Sequence, residues 1–150
     1  MNRSVEHGDK RILVVEDDEG VRAMLVRVLC EDGYSTLSAA DGTRALEIAR
    51  TVHLDLVVLD LGLPDKAGWD VFEKLTATNP LLAVIVITAK PNQAAVAKAS
   101  GVGAFLEKPL DFPALLEMAG RLLAESAESR LNRMLGRAPM PPRTAGGFDR

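Results

Sequence analysis

The chain has little cysteine, few aromatic residues and no long apolar run, and each shortage closes off a class of protein. Its one cysteine, Cys30, allows no internal disulfide and fits a reducing cytosol. Cys30 falls among the apolar positions of an expected helix, which favours a buried thiol over a reactive one. No apolar stretch approaches the roughly 20 residues of a bilayer-spanning helix. Residues 1–10 form a polar leader without the apolar segment of a signal peptide. The expected location is therefore cytoplasmic, with no membrane partner. Aromatics make up only 4% of the residues. The C-terminal arginines are not interleaved with them, and no helix-turn-helix pattern accompanies them, so nucleic acid is not an expected partner. The net charge of −3 gives no general attraction to nucleic acid either. Charge is uneven: residues 121–150 hold six arginines against Glu125, Glu128 and Asp149, which leaves −6 on residues 1–120.

What is present is the composition of one globular domain: 150 residues, 47% hydrophobic and 26% charged. The organising stretch is Leu56-Val57-Val58-Leu59-Asp60-Leu61-Gly62-Leu63-Pro64. Four apolar residues run straight into one carboxylate, as in a strand buried on both faces of a parallel sheet. Pro64 cannot continue a ladder, so Asp60 stands at the strand's carboxyl end, where open α/β sheets place their ligands.

Around that stretch, strands and helices alternate. Residues 11–15 read as a strand. Val21, Met24, Leu25, Val28 and Leu29 then recur at helical spacing, and Gly33 ends the helix. Residues 34–38 read as a second strand. Asp41 caps a helix over 42–51, with Ala45, Leu46 and Ala49 inward. After the central strand, Val71, Phe72 and Leu75 mark a third helix. Residues 82–87 form a buried strand ending at Thr88. Pro91 opens a fourth helix to Ser100. Residues 103–106 form a short strand, followed by Lys108-Pro109. Asp111 starts a last helix with Leu115, Leu116, Ala119, Leu122 and Leu123 on one face. The domain spans 11–124, the last helix is expected to extend over 125–136, and the Pro- and Gly-rich residues 137–150 are expected to be a disordered tail. Five strands alternating with five helices imply an α/β doubly wound parallel sheet.

In such a sheet the strand ends point one way, and they bring Glu16, Asp17, Asp60, Thr88 and Lys108 together. Three carboxylates in one place are costly: at about 4 Å and an effective dielectric of about 20, each like-charge pair costs roughly 4 kcal/mol. Lys108 offsets part of this, and a divalent cation would offset the rest. The donors are all oxygens, which selects Mg2+ or Mn2+ over Zn2+. Carboxylate, hard cation, hydroxyl and ammonium together make a phosphoryl site. Asp60 is its candidate nucleophile, and the cation and Lys108 would neutralise charge on phosphoryl oxygens.

The ordered set Val14-Val15-Glu16-Asp17-Asp18, Leu59-Asp60-Leu61-Gly62-Leu63-Pro64, Ile87-Thr88-Ala89 and Phe105-Leu106-Glu107-Lys108-Pro109 resembles the receiver domain of two-component response regulators, in particular the stand-alone, chemotaxis-regulator-like kind. The resemblance covers roughly residues 10–124. It implies a flavodoxin-like fold with strand order 2-1-3-4-5. It implies that Asp60 is phosphorylated from a phosphohistidine on a sensor histidine kinase or histidine phosphotransfer protein. By the same match, Asp17, Asp60 and the backbone carbonyl of Gly62 are the Mg2+ ligands, with Glu16 acting through water. Thr88 and Lys108 bind the phosphoryl group, Thr88 and Phe105 form the switch pair, and the bond before Pro109 is cis. The downstream partner would meet the face of the fourth helix, fifth strand and fifth helix, or that face would support a phosphorylation-dependent homodimer.

Departures from the family pattern fall in one loop and one switch position. Gly62 stands where a larger side chain is common, which leaves open how well a phosphoryl group is shielded from water. Lys66 and Ala67 replace the frequent Met and Asp, and position 105 is Phe in place of Tyr. The expected function is a phosphoacceptor signalling module, not an enzyme. A phosphatase of the Asp-nucleophile type would need a second Asp at position 62. Two alternatives stay open: the N-terminal part of a larger DNA-binding regulator, and a phosphorylation-independent scaffold.

Overall fold

The structure is a computed structural model that describes residues 10–89, 104–125 and 127–135. In chain order the elements are β1 (Arg11–Val15), α1 (Glu19–Glu31), β2 (Ser35–Ala39), α2 (Gly42–Thr51), β3 (Leu56–Asp60), α3 (Gly68–Thr78), β4 (Ala83–Thr88), β5 (Ala104–Glu107), α4 (Phe112–Ala124) and α5 (Ala127–Met134). The five strands form one sheet in the order β2-β1-β3-β4-β5, and every pairing is parallel. This is the expected doubly wound, flavodoxin-like architecture.

All five residues of β3 and all six of β4 are buried. Alternate side chains of each strand feed two separate cores. Leu13, Val15, Val57, Leu59, Val84 and Val86 pack against α2 and α3, through Ala45, Ile48, Val71, Phe72 and Leu75. Ile12, Val14, Leu56, Val58, Ile85 and Ile87 pack against α1 and α4, through Leu25, Leu29, Leu115, Ala119 and Leu122. Burial on both faces explains why these strands read as unbroken apolar runs.

Local chemistry sets the helix ends. Asp18 caps α1 by accepting from Val21 N at 2.9 Å, and Glu19 sits in the favourable first turn. The helix closes at Asp32, and Gly33 takes the left-handed conformation at φ 102° that a side chain would resist. Asp41 and Asp111 cap α2 and α4 by accepting from Arg44 N and Ala114 N. The first residue of α3 is Gly68, where an added Cβ would lie 2.4 Å from the Cα of Leu61.

Some expectations fail. The core-facing line of α1 runs through Val21, Leu25 and Leu29 at intervals of four, and this turns Met24 outward to 44% exposure. Cys30 lies one residue past that line and is exposed too; its Sγ is 3.3 Å from Thr36 Oγ1. The second strand begins one residue later than expected, and Tyr34 is buried ahead of it. The last helix does not run on to 135. Its apolar face ends at Leu123, Glu125 is extended at ψ 141°, and a separate helix starts at Ala127. The expected helix over 91–100, the leader up to residue 9 and the tail over 137–150 lie outside the described residues. Among the described residues, no helix is long and apolar enough to cross a membrane.

Candidate functional site

The parallel ladder runs one bond past three of the strands. Glu16 N donates to Ala39 O at 3.1 Å, Leu61 N to Ile87 O at 3.0 Å, and Lys108 N to Thr88 O at 2.8 Å. These bonds hold the loop beginnings in register. They bring Glu16, Asp60, Thr88 and Lys108 to one edge of the sheet.

Glu16 is fully buried, and Asp60 and Thr88 are 4% and 2% exposed. Asp17 is exposed at the lip. The three acids each present a carboxylate oxygen within 4.8 Å of the others. The Lys108 ammonium lies between two of them, 3.1 Å from Glu16 Oε1 and 3.6 Å from Asp60 Oδ2. The remaining oxygens are held by backbone: Glu16 Oε2 accepts from Asp18 N at 3.1 Å, and Asp60 Oδ1 from Gly62 N at 3.1 Å. Burial pushes the Glu16 carboxyl above its ordinary 4.5, although the Asp18 N–H and Lys108 pull the other way. Burial alone would lower the Lys108 ammonium, but Glu16 and Asp60 outweigh it and hold the group above 10.5.

These residues line one open cleft of about 860 Å3, together with Gly62 and Ala89. The donor set is oxygen only, partly buried and short of positive charge, so it fits a hard divalent cation such as Mg2+ or Mn2+. Six of the expected site residues therefore meet: Glu16, Asp17, Asp60, Gly62, Thr88 and Lys108. Phe105 does not line the cleft. It pairs with Val86 on β5 and is half-buried against the α2/α3 core. The Lys108–Pro109 bond is cis. Pro109 turns away into a shallow apolar groove with Val21, Met24, Leu110 and Phe112.

Two charged residues at the site escaped the sequence reading. Arg22 donates from Nη1 to the carbonyl oxygens of Glu16, at 2.9 Å, and Asp17, at 3.4 Å. Its signal was its place in the first turns of α1, which bring it back over the loop it follows. Asp65 accepts from the first residues of α2. Its only local signal was a carboxylate directly after Pro64.

Residues 12–120 match the family described as response regulator receiver domain. The chain is 32% identical over 125 residues to the transcriptional regulatory protein GlrR of Escherichia coli, covering 82% of this chain and 28% of that protein. It is 29% identical over 117 residues to sporulation initiation phosphotransferase F of Bacillus subtilis, covering 77% of this chain and 94% of that one. Among solved structures, response regulator TrrA of Thermotoga maritima, in complex with Mg2+-BeF, superposes with a TM-score of 0.70 at 29% identity, over 75% of this chain and 98% of that one. The chain thus spans little more than a quarter of the first of these relatives and nearly all of the other two. Receiver domains bind Mg2+ at an acidic pocket and work with histidine kinases or phosphotransfer proteins; they are not enzymes in themselves. With its five parallel strands, its acidic cleft and a match over residues 12–120, the chain belongs to the response regulator receiver domains of two-component signalling.

Proposed function

We propose that Asp60 is the phosphoacceptor, and that its phosphorylation switches a protein–protein surface. The observation that carries this is the ammonium of Lys108 between the buried Glu16 and Asp60, with Asp17 at the lip. An Asp60 carboxylate oxygen attacks the phosphorus of a phosphohistidine on a sensor histidine kinase or histidine phosphotransfer protein. The P–O bond forms, the P–N bond breaks, and the imidazole leaves and recovers a proton. The product is an acyl phosphate on Asp60. Asp17, Asp60 and the Gly62 carbonyl, with Glu16 through water, would hold Mg2+ or Mn2+, which would supply neutralising charge for the phosphoryl oxygens. Lys108 pairs with the new dianion, and the Thr88 hydroxyl donates to it.

The modification adds about −1.5 to −2 charge beside Thr88. Thr88 and Phe105 stand two strand positions apart across β4 and β5, since Thr88 pairs with Glu107 and Phe105 with Val86. A turn of the Thr88 hydroxyl toward the phosphoryl group makes room for the Phe105 ring to move inward. The face that includes β5 and α4 then changes partner or forms a homodimer, in the cytoplasm. The alternative of a larger transcriptional regulator draws support from the relative of which this chain covers only 28%. The receiver chemistry is the same in both.

Intact mass after acetyl phosphate and Mg2+ tests the acceptor. The wild type is expected to gain one phosphoryl group and Asp60→Ala none, with no turnover of phosphomonoesters. A wild type that gains none, either from acetyl phosphate or from a panel of phosphorylated kinases and phosphotransfer proteins, overturns the assignment.

A further inference from the structure

We propose that Asp65 is a positioning residue: it fastens the β3–α3 loop to the first turn of α2 and thereby fixes Gly62 for cation binding. This role rests on the Mg2+ site proposed above. The Asp65 carboxylate accepts three hydrogen bonds, from Gly42 N at 2.8 Å, Thr43 N at 3.0 Å and Thr43 Oγ1 at 2.6 Å. The first N–H groups of a helix have no partner within it, and the helix dipole favours an anion there. α2 has its own cap, because Asp41 accepts from Arg44 N at 2.8 Å. Asp65 comes from 23 and 22 residues downstream and takes the donors that Asp41 leaves.

Leu61 and Leu63 pack against the α2/α3 core, but the loop's polar anchorage rests on this carboxylate. Its start is held by Leu61 N on Ile87 O, and its end by Asp70 N and Val71 N on Ala67 O. Among the described residues, the hydrogen bonds of residues 63–66 to the rest of the protein run through the Asp65 carboxylate. Pro64 has no N–H to add. The loop also sits close on α2: a Cβ at Gly42 would lie 3.1 Å from Lys66 Cδ and 2.8 Å from Val71 Cγ2. Gly42 thus leaves the room that the tether uses. The Thr43 hydroxyl and the Gly42 N–H lower the Asp65 carboxyl to about 2, so the tether stays charged at any physiological pH.

Asp65 itself is exposed, so its bonds do not serve to bury core. Gly62, three residues upstream, donates to Asp60 Oδ1 at 3.1 Å and ties the same loop to the acceptor. A loosened loop disperses the Gly62 carbonyl while the Lys108 contacts of Glu16 and Asp60 stay in place. Cation affinity should therefore suffer, and the rate at saturating cation should not.

The probe is Mg2+ itself, followed by the fluorescence of Trp69, the only tryptophan, which lines the same cleft. Acetyl phosphate labelling as a function of Mg2+ gives the rate. Loss of a residue behind a metal ligand typically weakens binding about 10–100-fold, and Asp65 acts at one further remove, so Asp65→Ala should raise the Mg2+ Kd by ~3–10-fold. Asp65→Asn, which keeps one accepting oxygen, and Thr43→Val should fall between that variant and the wild type. All three should label at the wild-type rate in saturating Mg2+. Asp41→Ala is the control: it weakens the same helix end without touching the loop, and its Mg2+ Kd should not move. An unchanged Kd in Asp65→Ala overturns the role, and so does an equal loss in Asp41→Ala. A wild type that binds no Mg2+ removes the site reading and this role with it. A wild type that binds Mg2+ normally beside an unaffected Asp65→Ala removes this role alone.

Discussion

Lys108→Met removes an ammonium and keeps the apolar stem of the side chain. It leaves Glu16 and Asp60 facing each other without the cation that stands 3.1 and 3.6 Å from them. At those distances and an effective dielectric of about 20, each contact is worth roughly 5 kcal/mol before desolvation. The protein does not lose that sum, because Glu16 has another way out: it takes up a proton. From an ordinary carboxyl at 4.5, folding with Glu16 neutral at pH 7 costs at most about 3.4 kcal/mol, at about 1.4 kcal/mol per pH unit. Part of that cost is already present in the wild type, whose Glu16 carboxyl is raised by burial. The open cleft admits water and trims the rest. The expected loss at pH 7 is therefore about 1–3 kcal/mol, at about 2–4 °C in Tm per kcal/mol for a chain of this size. The sign with pH follows from a raised carboxyl. Its contribution is fully present below 4.5 and is lost as pH rises through the folded value. Lys108→Met moves that folded value up further, so the gap between variant and wild type should widen above 4.5. At pH 5 the same proton costs only about 0.7 kcal/mol, and the gap should nearly close. Thermal melts in EDTA at pH 5 and pH 7 check this. A variant as stable as the wild type at pH 7, or a gap larger at pH 5, would refute the account.

Three further substitutions probe the loops and the helix starts beside them. Arg22→Ala deletes the donor to the Glu16 and Asp17 carbonyls; hydrogen bonds to charged groups are worth about 1.5–3 kcal/mol, so thermal unfolding should show a loss toward the low end of that range, and Mg2+ titration a weaker site. A Tm and a Kd both equal to the wild type would show that the clamp is idle. Gly68→Ala would put a Cβ 2.4 Å from the Cα and 2.8 Å from the carbonyl oxygen of Leu61, both backbone atoms that cannot simply rotate away. Overpacking of this kind costs about 1–3 kcal/mol, read as a lower urea midpoint with unchanged slope. Gly20→Ala, whose nearest neighbour would be Asp18 Oδ1 at 3.4 Å in the helical α1, should instead hold or raise that midpoint.

What the sequence made legible was whatever is written in periodicity or at strand ends. β3 announced itself because both of its faces are covered, so Leu56 to Leu59 had no reason to alternate with polar residues. Glu16, Asp60, Thr88 and Lys108 were readable because parallel strands deliver their last residues to one edge. Side-chain direction was less legible. Met24 and Leu25 are equally apolar, and only the packing of α1 on β1 and β2 decides that Leu25 is buried and Met24 is 44% exposed. The break at Glu125 was hidden too, since Ala124, Glu125 and Ala127 are all good helix formers; the helix stops where its core contacts stop. Arg22 and Asp65 were missed for a different reason. Both bond to backbone atoms, and a backbone carbonyl or N–H has no letter in the sequence.

Those two residues bear on why the acids stay together. Charges that repel will splay apart if their loops allow it, and the cleft would then have to be reassembled each time a cation entered. Here Glu16 is fully enclosed and clamped from behind by Arg22 at its own carbonyl. Asp60 ends a strand bonded on both sides, and the loop after it is fastened to α2 through Asp65. Asp17 alone of the three stands exposed at the lip. A cation entering the cleft would therefore meet two fixed carboxylates and would need to order only one. The repulsion that the fold maintains in its absence is released when it binds. It follows that loosening either loop should favour the metal-free cleft relative to its loaded form, so that the Mg2+-induced rise in Tm, measured from each protein's own metal-free Tm, shrinks in Arg22→Ala and Asp65→Ala. Equal Mg2+-induced shifts in wild type and both variants would show that the acids are held by the strands alone.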